Sequence, residues 1–317
     1  MKLIQQQLTI DEQTSGMRLD QALAQLLPEY SRSKIQDWIK QGFITLNQAK
    51  VKPREKVFDG DSLVLDVPPT TKTYDQPEQI EFEIIHQDAD VFVINKPAGL
   101  VVHPAAGHQT GTLVNGLLHR DPGLEQLPRA GIVHRLDKDT TGVMVVARTL
   151  QAHTALVEAL QEREVKREYI AIAQGLITAG RTIDAPMARH PVDRKRMAIR
   201  EDGKDAITHF RVAERYRAHC LIEVQLETGR THQIRVHLAS IRHPLLGDQT
   251  YGGRLTIASG IGDLLEQTIR RFKRQALHAK RLTFEHPSSG ETMSFEAGLP
   301  ADLQNLIEEL RADSNHG

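Results

Sequence analysis

Residues 68–80 read PPTTKTYDQPEQI, and this stretch limits every fold open to the chain. Pro68, Pro69 and Pro77 interrupt helix and strand, and the threonines and charges between them offer little to bury. One continuous core does not run through such a segment, which reads as a linker. The chain has 317 residues, against roughly 100–200 per domain. Two domains are therefore expected, residues 1–67 and residues 81–317, joined by a linker over 68–80.

In the first domain, RLDQALAQLL (18–27) places Leu19, Ala22, Leu23, Leu26 and Leu27 at helical spacing, and Pro28 ends the run. Ser31 is the expected N-cap of a second helix, SRSKIQDWIKQG, with Ile35, Trp38 and Ile39 on one face and Gly42 as terminator. FITLN, KVKPREKV and DGDSLVLDV follow as expected short strands, turned at Asn47 and Gly60. In the second domain, IEFEIIHQD and DVFVINKP form an expected hairpin, followed by an irregular loop around His103. GIVHRLDKDTTGVMVVART reads as strand, polar loop, strand. LQAHTALVEALQERE, HQIRVHLASI and ADLQNLIEELRAD read as helices, and KREYIAIAQGLI, AITHFRVAERY, LIEVQLETG and KRLTFEH as strands. Hairpins with scattered helices, and no repeat, argue for an α+β fold on a mixed, mainly antiparallel sheet.

Lys plus Arg is 40 and Asp plus Glu is 41, a formal charge of -1. That excludes a protein that holds nucleic acid by being basic overall, so the distribution decides. Residues 18–56 hold eight basic and four acidic side chains, +4, whereas 59–90 hold nine acids and only Lys72, -8. Residues 189–217 hold nine basic and five acidic, and 270–281 hold six basic and no acid. Any one run reads as a solvated face, but three together point toward a polyanion.

Cys220 is the single cysteine, which excludes an intrachain disulfide and a cysteine-based zinc site. Residues 1–16 are too polar for a signal peptide, and no run nears the ~20 apolar residues of a membrane helix. A cytoplasmic protein without a membrane partner is expected. No phosphate-binding glycine loop of the nucleotide enzymes appears; GDQTYGG (247–253) has the wrong spacing and reads as a turn. The fifteen histidines show no metal-ligand spacing, so no metal is expected.

HRLDKDTTG (134–142) is the most loaded segment, with Asp137 and Asp139 between apolar flanks and Arg135 close enough to hold a carboxylate ionised. Such a carboxylate serves as nucleophile or base, or the segment is a structural salt-bridge turn; the residues alone leave both open. In an extended loop residues 137 and 139 point to opposite sides, so only one faces a pocket. TGRTHQIRVHLA (228–239) sets Arg230 and Arg235 about a helix start, where anions bind readily. In KREYIA, Tyr169 is either core or a platform for a base.

RLDQAL…YSRSKIQDWIKQGFITLN resembles the S4 RNA-binding domain over residues 17–67. NKPAGLVVHP (95–104), PRAGIVHRLDKDTTG, KREYIA, ETGRTHQIRVH, HPLLGDQTYGG and RQALHA resemble the RluA-type RNA pseudouridine synthases. The likeness covers roughly residues 8–312; one departure is Thr141, where many relatives have Ser. It implies an S4-type α/β domain ahead of a catalytic domain of the pseudouridine synthase fold. It also implies a catalytic set of Asp137 (not Asp139), Tyr169 packed on the uracil, and Arg235 paired with the aspartate. Arg135 would enter the RNA stack where the uridine leaves it, Arg230 and His232 would contact RNA, and Ile234 would help wall the pocket. Arg32, Lys34 and Lys40 of the S4-like unit would add RNA affinity.

The implied reaction breaks the C1′–N1 bond of a uridine, turns the base and joins C5 to C1′. No atom is gained, so no cofactor, metal or ATP is expected, and the base must first be flipped out. Within the family the likeness is to enzymes of large-subunit (23S) rRNA, so the expected partner is that rRNA or the pre-ribosomal 50S particle, bound by a monomer. The alternatives are a tRNA-modifying enzyme of the same family and a non-catalytic S4-type ribosome-assembly factor; an intact Asp137, Tyr169 and Arg235 argue against the latter.

Overall fold

The buried apolar side chains of residues 8–67 form a cluster of their own, apart from three clusters built from residues 80 onward. The computed structural model describes residues 4–27, 32–67, 76–104, 110–255 and 257–315. Its internal contacts divide at residue 74, into Met1–Tyr74 and Asp75–Gly317.

The first unit is built from β1 (Ile4–Thr9), α1 (Leu19–Leu26), α2 (Arg32–Gln41), β2 (Ile44–Leu46), β3 (Ala49–Lys50) and β4 (Ser62–Val67). The antiparallel sheet runs β1-β4-β2-β3. The spacing read in α1 buries Leu19, Ala22 and Leu23 against Ile35, Trp38 and Ile39 of α2 and the inward Leu63, Leu65 and Val67 of β4. Asn47 and Gln48 both take positive φ, the geometry of a tight hairpin between β2 and β3. The Ser31 cap and the Lys34 side chain lie outside the described residues. Two readings are corrected. KVKPREKV is not a strand beyond Lys50: Pro53 follows, and a turn closes from the Glu55 N–H to the Lys52 carbonyl. β1 was not anticipated, because its IQQQLT is polar and its pairing with β4 is made by backbone.

The second unit contains β5 (Glu83–Gln87), β6 (Val91–Lys96), α3 (Leu113–Arg120), β7 (Thr141–Ala147), α4 (Leu150–Gln161), β8 (Lys166–Gln174), β9 (Arg181–Asp184), β10 (Met187–Arg189), β11 (Met197–Ile199), β12 (Ile207–Arg215), β13 (His219–Leu226), α5 (Gln233–Ser240), α6 (Asp263–Arg271), β14 (Leu277–Glu285), β15 (Thr292–Glu296) and α7 (Ala301–Asn315). Nine strands form one sheet, β5-β6-β7-β14-β8-β13-β12-β9 with β15 on β14; β10 and β11 make a separate hairpin. The sheet is antiparallel except where β14 runs parallel to β7. β8 is covered on both faces: Tyr169, Ala171 and Ala173 join the core under α3 and α4, and Ile170 and Ile172 join that under α6 and α7.

The parallel contact explains one glycine. Gly142 has φ +117°, and a Cβ there would lie 2.1 Å from the Ala279 carbonyl oxygen. Only glycine lets β7 and β14 approach at that point. α3, α6 and the short β9, β10, β11 and β15 were not anticipated.

Candidate active site

The entry to the polar loop is a turn. GIV was expected to be a strand, but Pro128–Gly131 is a 3-10 turn and Ile132 makes a single bridge to Val146. Arg129 and Ala130 take positive φ, and a Cβ on Gly131 would sit 1.9 Å from the Ala147 carbonyl oxygen. The chain therefore turns sharply into HRLDKDTTG instead of running straight. Nor is the loop extended: the Thr140 N–H bonds back to the Asp137 carbonyl at 3.1 Å, so the two-sided argument for residues 137 and 139 does not hold.

Four side chains pin this turn. Lys96, fully buried at the end of β6, donates to the carbonyls of Pro97 (2.8 Å), Leu100 (3.0 Å) and Lys138 (2.9 Å). Burial pulls its pKa down to about 7, against the pull of Asp139 and Asp137. Arg274 holds the Asp139 carbonyl (3.2 Å) and is itself gripped by Asp302 of α7. The Gln275 amide donates to Thr140 Oγ1 at 3.0 Å, and Thr141 Oγ1 lies 2.8 Å from His278 Nδ1. His278 Nε2 donates to the Ala297 carbonyl, so Nδ1 accepts from the Thr141 hydroxyl. A serine hydroxyl would serve equally.

The opposite wall is the Thr228–Gly229 turn and the start of α5. Gln233 is buried and uses its whole amide: its oxygen accepts from Thr228 Oγ1 and the Arg230 N–H, and its nitrogen donates to Ile207 and Thr208. This locks the turn and sends His232 into the left-handed region, φ 59° and ψ 19°. Strain of that kind in a non-glycine residue clusters at functional sites.

Arg235 then reaches across to Asp137, with Nη1 donating to Oδ2 at 2.8 Å. Its other edge forms a two-point pair with Asp248, 2.7 and 2.9 Å. The Asp248 side chain is 0% exposed and that of Arg235 is 7% exposed. The N–H groups of Thr250 and Tyr251 also donate to Asp248 Oδ1. Arg235 thus stands between one sequestered carboxylate and one facing open space. Burial opposes its charge, but the two carboxylates more than offset this and raise its pKa. His232 Nε2 lies 3.8 Å from Asp137 Oδ1.

Asp137, Arg135, Tyr169, Arg230, His232 and Arg235 line one cavity of about 810 Å³. Tyr169 is 7% exposed, and burial raises its pKa, so the phenol stays protonated at neutral pH. Ile234 and Leu277 add apolar wall. Arg135 is exposed and forms no ion pair among the described residues, so Arg235, not Arg135, holds the Asp137 carboxylate. Arg230 Nε donates to the Asp205 carbonyl at 2.9 Å. Arg32 and Lys40 belong to the other unit: Arg32 pairs with the buried Asp20 at 2.9 Å and Lys40 lies 3.6 Å from Asp37.

Half of the basic run 270–281 is neutralised, while Arg271, Lys273 and Lys280 form no ion pair among the described residues. Arg270 pairs with Glu266, Arg274 with Asp302, and Arg281 with Glu168 and Glu296. Away from the cavity, Asp88, Asp90 and His286 bring ligand atoms within 4.8 Å of one another. Asp88 already takes the His86 ring and the N–H groups of Asp90 and Val91. Among the described residues no helix is long and apolar enough to cross a membrane.

Residues 90–240 match the family model described as RNA pseudouridylate synthase, and residues 17–63 match the S4 domain. A protein of Xanthomonas campestris named ribosomal large subunit pseudouridine synthase D is 52% identical over 308 residues, 97% of this chain and 93% of its own. Proteins of the same name from Pseudomonas aeruginosa (52% identical; 98% of this chain, 97% of its own) and Escherichia coli K12 (50%; 96% and 94%) match equally broadly. The solved structure of human RNA pseudouridylate synthase domain containing 4 superposes with a TM-score of 0.58 at 27% identity, covering 72% of this chain and 93% of that one. By sequence along nearly its whole length, the chain belongs to the RNA pseudouridine synthase family.

Proposed function

We propose that the chain isomerises uridines of large-subunit (23S) rRNA to pseudouridine, as a monomer in the cytoplasm, on free rRNA or the pre-ribosomal 50S particle. The observation that carries the reading is Asp137: a carboxylate at the wall of an 810 Å³ cavity, held at 2.8 Å by a buried arginine. The names of the relatives support rRNA over tRNA. In this reading residues 1–67 are the RNA-binding unit, 68–80 the linker and 81–317 the catalytic domain.

A uridine in a stem is out of reach of a carboxylate, so it is flipped out at a cost of a few kcal/mol. Arg135 fills its place in the stack, and Arg230 and His232 hold the flanking backbone. Arg32, Lys34 and Lys40 supply sequence-independent affinity through phosphates. In the pocket the uracil packs on Tyr169, between Ile234 and Leu277. Asp137 acts on the ribose, either as nucleophile at C1′, its bond to C1′ breaking again as C5 takes that position, or as base at C2′–H, the proton returning to C2′ as C5 bonds to C1′. The C1′–N1 electron pair leaves with the uracil, the base turns, C5 bonds to C1′, and the C5 proton is lost while N1 gains one. A primary isotope effect with 2′-deuterated uridine marks the second route, and its absence the first. Arg235, neutralised by Asp248 from behind, orients Asp137 without drawing it wholly into an ion pair.

The test is a map of pseudouridines in 23S rRNA and tRNA from a strain lacking the gene. Loss of defined rRNA sites, restored by the wild-type chain, is expected. An intact rRNA map, or loss confined to tRNA, would contradict the proposal.

A further inference from the structure

The turn carrying Asp248 also carries Tyr251, where three parts of the second unit meet. The Tyr251 hydroxyl accepts the N–H of Met197, in β11, at 2.8 Å. The same oxygen lies 2.8 Å from His232 Nδ1. The ring is 9% exposed and has two guanidinium groups over it, Arg235 at 5.1 Å and Arg196 at 5.2 Å from its centroid. The His232 ring meets it edge-on at 5.6 Å.

This fixes a proton. Met197 uses the hydroxyl oxygen as acceptor, so the hydroxyl hydrogen needs an acceptor of its own. Among the described residues that acceptor is His232 Nδ1. Burial keeps His232 below the ordinary histidine range, so the ring is neutral at pH 7 and its one N–H sits on Nε2. Nε2 is the nitrogen 3.8 Å from Asp137 Oδ1. On the far side, β10 and β11 form a two-stranded hairpin whose connecting segment carries Arg194, Lys195 and Arg196. Arg196 Nε is buried without a hydrogen-bond partner, so its guanidinium is held at the ring by packing.

We propose that Tyr251 is a positioning residue that couples the seating of the basic β10–β11 hairpin to the orientation and tautomer of His232 beside Asp137. RNA that loads the hairpin through its phosphates bears on the Met197–Tyr251 hydrogen bond, and the hydroxyl passes that seating to His232. The proposal rests on the uridine-isomerising reading of the Asp137 site.

The test uses the full chain, with ¹⁵N-labelled histidine, in two arms. Free of RNA, wild-type His232 is expected as the Nε2–H tautomer with Nδ1 accepting, and Tyr251→Phe, which keeps the ring, is expected to lose that preference and speed exchange of the Met197 amide. On a 23S rRNA fragment labelled with tritium at uridine C5, single-turnover release by Tyr251→Phe is expected to fall at least tenfold with Kd within twofold. Wild-type turnover by the variant, or an Nδ1–H tautomer in the wild-type protein, would overturn the proposal. So would a slowed variant whose tautomer and amide exchange are unchanged, since Tyr251 would then only pack. An inactive wild type would instead remove the functional reading, leaving the RNA-free arm to decide the geometry.

Discussion

Asp248→Asn tests the carboxylate behind Arg235. The substitution keeps size and removes one charge from a pair whose side chains are 0% and 7% exposed. Asparagine can still accept the Thr250 and Tyr251 N–H groups through one oxygen, but its NH₂ then faces the Arg235 Nε–H, donor against donor. Removing one partner of a buried ion pair costs about 3–5 kcal/mol, and the lower end applies because Arg235 keeps Asp137. With about 2–4 °C per kcal/mol for a unit of roughly this size, about 3 kcal/mol lowers Tm by about 6–12 °C. Turnover falls as well, because a guanidinium freed from its two-point grip still pairs with Asp137 but no longer fixes the direction of that carboxylate. Loss of ~1.4 kcal/mol of that orientation is a tenfold drop. RNA affinity stays within twofold, since Asp248 is 4% exposed and offers no surface to RNA. Calorimetry, tritium release from C5-labelled uridine and filter binding read the three quantities. A variant within 2 °C of wild type in Tm and equal in turnover would refute the argument, because the buried pair would then neither stabilise nor orient.

Other expectations follow from the same geometry. Gly142→Ala forces a Cβ to 2.1 Å from the Ala279 carbonyl and should separate β7 from β14; a variant as stable as wild type in urea would contradict this. Burial lowers the pKa of His219 to about 4 and of His134 to about 3, so both are neutral in the fold and charge only in the unfolded chain as pH falls. Their contribution is present above an unfolded pKa of about 6.5 and is lost toward pH 4, at ~1.4 kcal/mol per pH unit for each. Urea unfolding from pH 7.5 to 4.5 should show the decline, less steep in His219→Gln; a flat profile would contradict it. Tyr169→Phe should bind RNA nearly as well as wild type while Tyr169→Leu loses ~1–3 kcal/mol of stacking. Full activity of the leucine variant would make Tyr169 only a core residue.

Local signals were legible where a segment carries its own pattern. α1 and α4 were readable from apolar spacing, and α4 begins at a capping Thr149 that accepts the Ala152 N–H. HRLDKDTTG stood out because carboxylates rarely lie between apolar runs. What was hidden depends on partners far away in sequence. Within the basic run 270–281, the pairing of Arg274 and Arg281 is hidden because their acids, Asp302, Glu168 and Glu296, lie in other elements. Lys96 lies in NKPAG, and nothing near it in sequence announces that it holds Lys138, 42 residues on. Asp248 sits inside a glycine-rich turn; its local signal is a carboxylate two residues ahead of the Thr250 N–H that it accepts, and its partner Arg235 lies 13 residues earlier. The strand expected at GIV failed because Pro128 and Gly131 impose a turn that apolar content alone does not reveal.

Asp137 and Asp139 share one turn, and in the proposed function the chemistry belongs to Asp137, the carboxylate that Arg235 holds in the cavity. Asp139 is tied in through its carbonyl, which accepts from Arg274. The decisive measurement is tritium release from C5-labelled uridine in a 23S rRNA fragment by Asp137→Asn and Asp139→Asn, with RNA binding followed in parallel. Asp137→Asn is expected to release no tritium with binding nearly unchanged, and Asp139→Asn to lose far less. Release by Asp137→Asn, or complete loss only in Asp139→Asn, would contradict it.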